Sequence, residues 1–170
     1  MKLTEFFRAQ LDREVRGTRS ALDRVPEGRN DWKPHPKSMP MGYLAALVAR
    51  MPSWIAMTIN TDEFNFDPQA SAKSAFTPSV SATKAELLKL LDDSVAEARE
   101  ALAKATDEEL MKPWRFKVAG RVVSEDPKHV VISDSILSHL AHHRGQLTVY
   151  LRLNDVKVPA IYGPSGDEQV

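Results

Sequence analysis

Apolar residues recur at helical spacing in four long stretches of this chain. In the first, from Leu3 to about Val25, the residues Leu3, Phe7, Leu11, Thr18, Leu22 and Val25 share one face. Pro26 and Gly28 close it. The second runs from Met41 to about Ile59, with Tyr43, Leu44, Leu47, Met51, Trp54 and Thr58 inward. Pro52 predicts a bend there, because its ring displaces the hydrogen bond to the Val48 carbonyl. The third follows a capping box, Thr83-Lys84-Ala85-Glu86, and places Leu87, Leu91, Val95, Ala98 and Leu102 on one side. The fourth spans roughly Val130 to Leu153 and ends at Asn154, a residue able to take the left-handed cap conformation.

The segments between them read differently. Three prolines within Asn30 to Met39 and Pro40 forbid regular structure and predict an ordered loop with Trp32 packed over the end of the helices. His35, between two prolines, is a loop residue. Thr61 to Pro78 is polar with scattered Phe64, Phe66 and Phe76, long enough to cross over along the helices. Thr106-Asp107-Glu108-Glu109 signals a short extra turn of helix, and Trp114 to Val118 alternates before Gly120, as a hairpin would. The tail from Val156 to Pro164 is too apolar to be free and should dock. The expected fold is all-α: a four-helix bundle of up-down-down-up type, with a long helix 2–3 connection and a docked C-terminal tail, in a single domain over residues 1–170.

The fourth stretch carries the candidate chemistry. With successive residues about 100° apart, Ile132, Ile136, Leu140, Leu147 and Tyr150 fall within about 60° of His143. His143 therefore points inward, His139 lies near the same direction one turn earlier, and His142 sits on the flank. Two inward imidazoles at i and i+4 can converge on one metal ion, or can be a hydrogen-bonded core pair. Glu14 falls in the apolar stripe of the first helix, where a carboxylate must be paired, lie at an edge or face a polar pocket.

Composition narrows the classes. Lys plus Arg and Asp plus Glu number 23 each, so the net charge is zero and no basic stripe offers a nucleic-acid surface. No cysteine is present, which excludes disulfides, zinc-thiolate sites and a cysteine nucleophile. Any thiol chemistry would need a small molecule to bring the sulfur. No apolar run is long enough to span a bilayer, and the Met1-Lys2-Leu3-Thr4-Glu5 start lacks a secretory pattern, so a cytoplasmic protein is expected.

Several blocks together resemble the DinB/YfiT-like family of metal-binding four-helix bundles. They are Trp32-Lys33-Pro34-His35-Pro36-Lys37-Ser38, Leu44-Ala45-Ala46, Pro52-Ser53-Trp54, His139-Leu140-Ala141-His142-His143-Arg144-Gly145-Gln146-Leu147, and Tyr150-Leu151-Arg152-Leu153 running into Val158 to Ser165. The resemblance implies a divalent metal, zinc or nickel, held by three histidines, one from the second helix and two at i, i+4 from the fourth. His139 and His143 match the latter pair. In some members the metal would lower the pKa of a low-molecular-weight thiol and deliver its thiolate to an electrophile.

The chain departs from that pattern at Leu47, which occupies the second-helix histidine slot and has no donor atom. Glu14 is the candidate substitute ligand, and Leu47, Met51, Trp54, Gln146 and Tyr150 are expected to line the pocket. Two readings follow. One is a metal-dependent thiol transferase or hydrolase with a degenerate site. The other is a metal-poor, non-catalytic protein that binds a small ligand or associates as a homodimer.

Overall fold

The computed structural model describes residues 1–67 and 83–169. Helix α1 (Leu3–Leu22) buries Phe7, Leu11, Thr18 and Leu22 from the predicted stripe, and Glu14 with them. Its end is tighter than expected: the Val25 amide already bonds to the Leu22 carbonyl in a turn, and Gly28 takes a φ of 75°. The proline-rich loop is ordered by bonds from the Met41 and Gly42 amides to the Trp32 and Asn30 carbonyls, and Trp32 packs edge-on to Tyr150 at 5.4 Å.

The second stretch divides into α2 (Met41–Arg50) and α3 (Ser53–Asn60), inclined by 49° across Met51 and Pro52. The predicted proline bend is therefore a full break. Strand β1 (Glu63–Phe66) follows, in a region expected to be irregular connection. The rest of that connection lies outside the described residues, and with it the expected crossover.

Thr83 caps α4 (Lys84–Lys104) as its sequence predicts: its hydroxyl accepts from the Glu86 amide while Glu86 accepts from the Thr83 amide. At the start of the short α5 (Asp107–Met111) the Thr106 hydroxyl accepts from the Glu109 amide. Strands β2 (Pro113–Val118) and β3 (Arg121–Pro127) form the anticipated hairpin, turning at Ala119 and Gly120, both with positive φ.

The chain is mostly helical, as expected, but a small three-stranded sheet is added, so the fold is not all-α. The sheet order is β1-β2-β3, with β1 parallel to β2 and Phe64 directly beside Phe116. The Gly120 amide donates to the Asn65 side chain at 2.9 Å, tying the hairpin to β1. The period-2 signal of Phe64-Asn65-Phe66 covers too few residues to separate a strand from a loop, and its partner is remote in sequence.

The chain closes with α6 (Lys128–Val130), a π-helical stretch Val131–Ser138, and α7 (His139–Leu153), running one into the next. Asn154 is not left-handed; Asp155 takes that role with a φ of 58°. The tail docks as expected, the Tyr162 hydroxyl donating to Glu14 and Glu168 accepting from Arg24.

α1 packs on α4 and α7, and α2 on the same two helices, while α3 packs on α4 and the π segment. The break after α2 divides the buried residues into two clusters. One joins Leu22, Leu44, Leu47, Met51 and Leu91 to Leu140, Leu147 and Tyr150. The other joins Phe7, Leu11, Ile55, Leu102 and Ile136. Val15 and Trp54 pack against both, at the seam. Among the described residues no single helix is long and apolar enough to cross a membrane.

Candidate functional site

The histidines lie at that seam. The His139 and His143 ring centroids are 4.5 Å apart, with His142 at 5.1 Å from His143. Helical spacing brings the pair together as predicted. Their environments differ, however. His143 is buried, whereas His139 is exposed and tilts against Trp54 at 6.2 Å. The helical wheel predicts an inward His139, and its exposure departs from that. Beyond the α2–α3 break its neighbour is Trp54, at the edge of a cleft.

Gln146 organises the buried ring. Its side-chain oxygen lies 2.8 Å from His143 Nδ1 and its nitrogen 3.0 Å from His142 Nε2. An amide oxygen only accepts and an amide nitrogen only donates. This arrangement puts a proton on Nδ1 of His143, leaves its Nε2 as a lone-pair donor, and uses the Nε2 lone pair of His142. Desolvation, partial at His139 and fuller at His143, holds the pKa of both below the ordinary imidazole value. Hydrogen bonds oppose that shift, from the Ser135 backbone at His139 and from Gln146 at His143. Both rings are thus held in the neutral, ligating form at neutral pH.

The rest of a three-ligand set does not assemble. Leu47 is buried in the core cluster that contains Leu140 and Leu147. Glu14 is committed elsewhere: its Oε2 accepts from Arg144 Nη2 and from the Tyr162 hydroxyl, each at 2.7 Å. Among the described residues no group of three or more His, Asp or Glu side chains could hold a metal ion. The donors present do not fit the three-histidine centre that the resemblance implies.

Arg144 is the residue that explains Glu14, and sequence reasoning did not single it out. Only 1% exposed, its guanidinium donates to the Glu14 carbonyl at 2.9 Å and to Thr18 Oγ1 at 3.1 Å, and it also bonds the Tyr162 hydroxyl. The Tyr162 ring covers it at 5.0 Å. Gly17 permits this approach, since a Cβ there would meet Ile161 Cγ2 at 2.7 Å. A second buried cation, Lys128, donates to the Ile59 carbonyl at 2.8 Å and to Glu109 at 2.5 Å, fastening the start of the last helix to the ends of α3 and α5.

A cleft of about 380 Å³ opens between the sheet and the helices, with His139 in its wall. Its aromatic walls are Trp54, Phe64, Phe66, Trp114 and Phe116. Phe64 and Phe116 stack with centroids 6.3 Å apart, a consequence of their register across β1 and β2. Trp114 is fixed by a 3.1 Å bond from its indole nitrogen to Thr61 Oγ1. The wider π-helical turn sets Val131, Ser135 and Ile136 along the opposite wall. Thr58 also lines the cleft; its hydroxyl is fully buried and has no hydrogen-bond partner among the described residues. Such a group costs about 1–3 kcal/mol.

Of the residues expected to line the pocket, only Trp54 lines this cleft. Leu47, Met51 and Tyr150 belong to the core, the Tyr150 hydroxyl donating to the Met39 carbonyl at 3.2 Å, and Gln146 is taken up by the histidines. Phe64, Trp114 and Phe116 were visible as alternating aromatics, but their meeting depends on strand pairing.

Comparison with known proteins decides the family. The model of the DinB superfamily matches residues 10–147. The chain belongs to that superfamily. The solved structure of a DinB-like protein from Bacillus cereus is similar in fold, with a TM-score of 0.71 at 22% identity over 93% of this chain and 97% of that one. A DinB-like protein from Bacillus subtilis is similar at a TM-score of 0.66 and 15% identity, over 90% and 95% respectively. Among curated proteins, none matches the sequence significantly.

Proposed function

We propose that this DinB superfamily protein is a metal-poor member that binds a small organic molecule in the cleft between its sheet and its helices. The observation that carries the reading is the aromatic-walled cleft itself, with His139 on its wall. Its volume of about 380 Å³ falls in the range of small-molecule sites, roughly 300–1,000 Å³. The helical body is read as the up-down-down-up four-helix bundle, with the sheet as an addition that builds one wall. Equilibrium dialysis against naphthalene tests this: saturable uptake of one molecule per chain is expected, abolished by Phe116→Asp. Absence of saturable uptake by the parent protein contradicts it.

One observation favours a second reading. The Gln146 bond to His143 Nδ1 leaves Nε2 available beside His139, which is how an outer hydrogen bond prepares a ligating imidazole. His139 and His143 would then hold a zinc or nickel ion weakly, with water in place of a third side chain. A bound ion would supply Lewis acidity and lower the pKa of a coordinated thiol or water. Within that reading, Leu47 would keep the buried side of the site dry, and Gln146 would keep His143 in the ligating tautomer.

A further inference from the structure

We infer that the outer edge of the sheet is an interface between two copies of this chain, joined through β3 in antiparallel pairing about a two-fold axis. The inference is independent of what the cleft binds. Three observations point to it.

The first is the edge itself. Among the described residues β3 is the last strand of the sheet, with β2 on one side and no strand on the other. All of its residues from Arg121 to Asp126 are exposed. An outer strand carries a row of backbone N–H and C=O groups that a further strand can pair. The second is composition. Val122 and Val123 are 52% and 56% exposed in the middle of the strand. Such β-branched side chains gain from packing against a neighbour on the next strand.

The third is charge. The strand is basic at its start, at Arg121, and acidic toward its end, at Glu125 and Asp126. Glu125 lies 3.8 Å from Arg115 on β2, whereas Arg121 and Asp126 have no ion-pair partner among the described residues. A second copy running antiparallel, with the two-fold axis between Val123 and Ser124, sets Arg121 of each copy opposite Asp126 of the other. Residues directly opposite have Cβ atoms about 4.5–5.5 Å apart, so an ion pair closes each end. A parallel copy in register would set acid beside acid. The two-fold contact is closed, so assembly stops at two chains. Exposed ion pairs chiefly set orientation, and one short strand buries little area, so the dimer is weak and depends on concentration.

Sedimentation equilibrium at low salt tests the inference. At about 500 µM the parent approaches twice the 19.0 kDa chain mass, and at about 5 µM it is a monomer. Arg121→Glu alone, and Glu125→Lys together with Asp126→Lys, each stay monomeric at both concentrations. Mixed in equal amounts the two variants dimerise, because one edge is then wholly acidic and the other wholly basic. Amide hydrogen exchange in the parent slows several-fold in β3 at the higher concentration and not elsewhere. Should either variant fail to fold, exchange in the parent still decides the matter. A parent that stays monomeric at about 500 µM overturns the inference, and means that the register shift at Val123 blunts the edge. A dimer that survives Arg121→Glu, a mixture that stays monomeric, or protection confined to a surface other than β3 overturns it equally.

Discussion

Glu14 Oε2 lies 2.7 Å from Arg144 Nη2, across the interface of the first and last long helices. The two side chains are 10% and 1% exposed, and the Tyr162 hydroxyl closes the same carboxylate oxygen. This contact removes Glu14 from any role beside the histidines and fastens the C-terminal tail to the body.

Breaking the pair from one side leaves a buried charge without its partner. Glu14→Ala should therefore lower the unfolding free energy by about 3–5 kcal/mol, measured by urea denaturation. The joint replacement of Glu14 by Leu and Arg144 by Met should recover most of that loss, because no charge is then left buried. A Glu14→Ala cost under about 1 kcal/mol would show that the pair is solvated and not a buried fastening.

Gly17 gives a test of the tail itself. In an ordinary exposed helix, Gly→Ala stabilises by about 1 kcal/mol. Here the added methyl would meet Ile161 Cγ2 at 2.7 Å, with Arg144 Nη1 at 3.5 Å. Gly17→Ala should lower the melting temperature, and the same change made together with Ile161→Ala should raise it relative to Ile161→Ala alone. Stabilisation by Gly17→Ala in the otherwise native chain would mean that the tail does not press on this helix.

Much of this arrangement was legible before any coordinates, where the cause is local. Thr83 and Glu86 announce α4 because capping involves residues three apart, and Pro52 announces the break because its ring acts on its own helix. The convergence of His139 and His143 follows from helical spacing alone. What could not be read depends on remote partners. The acid in an apolar stripe at Glu14 was visible, yet its partner Arg144 becomes intelligible only with Tyr162 folded back over it. The parallel pairing of Phe64 with Phe116 joins segments about fifty residues apart. The π-helical turn also escapes a wheel drawn with a fixed step, and it forms one wall of the cleft.

Acidity should act through the two imidazoles. His139 and His143 are held below the ordinary histidine value chiefly by burial. Just below about pH 6.5 the unfolded chain then binds more protons than the folded one at these positions, so stability rises with pH there. Their contribution is complete above about pH 6.5 and is lost as the pH falls through that value toward the folded pKa values. Urea midpoints recorded with chelator between about pH 7.5 and about pH 5.5 should decline in the parent. They should decline less in a chain carrying His139→Asn and His143→Gln. Equal slopes for the two proteins would contradict the assignment of neutral, desolvated rings.

Metal content is the most direct measurement of the central claim, that His139 and His143 converge with no third protein donor among the described residues. Untagged protein, purified without an affinity column, is analysed for bound metal by mass spectrometry, alongside Leu47→His. The account predicts a parent well below one metal per chain and a Leu47→His variant close to about one. A parent that retains a full equivalent of divalent metal through dialysis would contradict it.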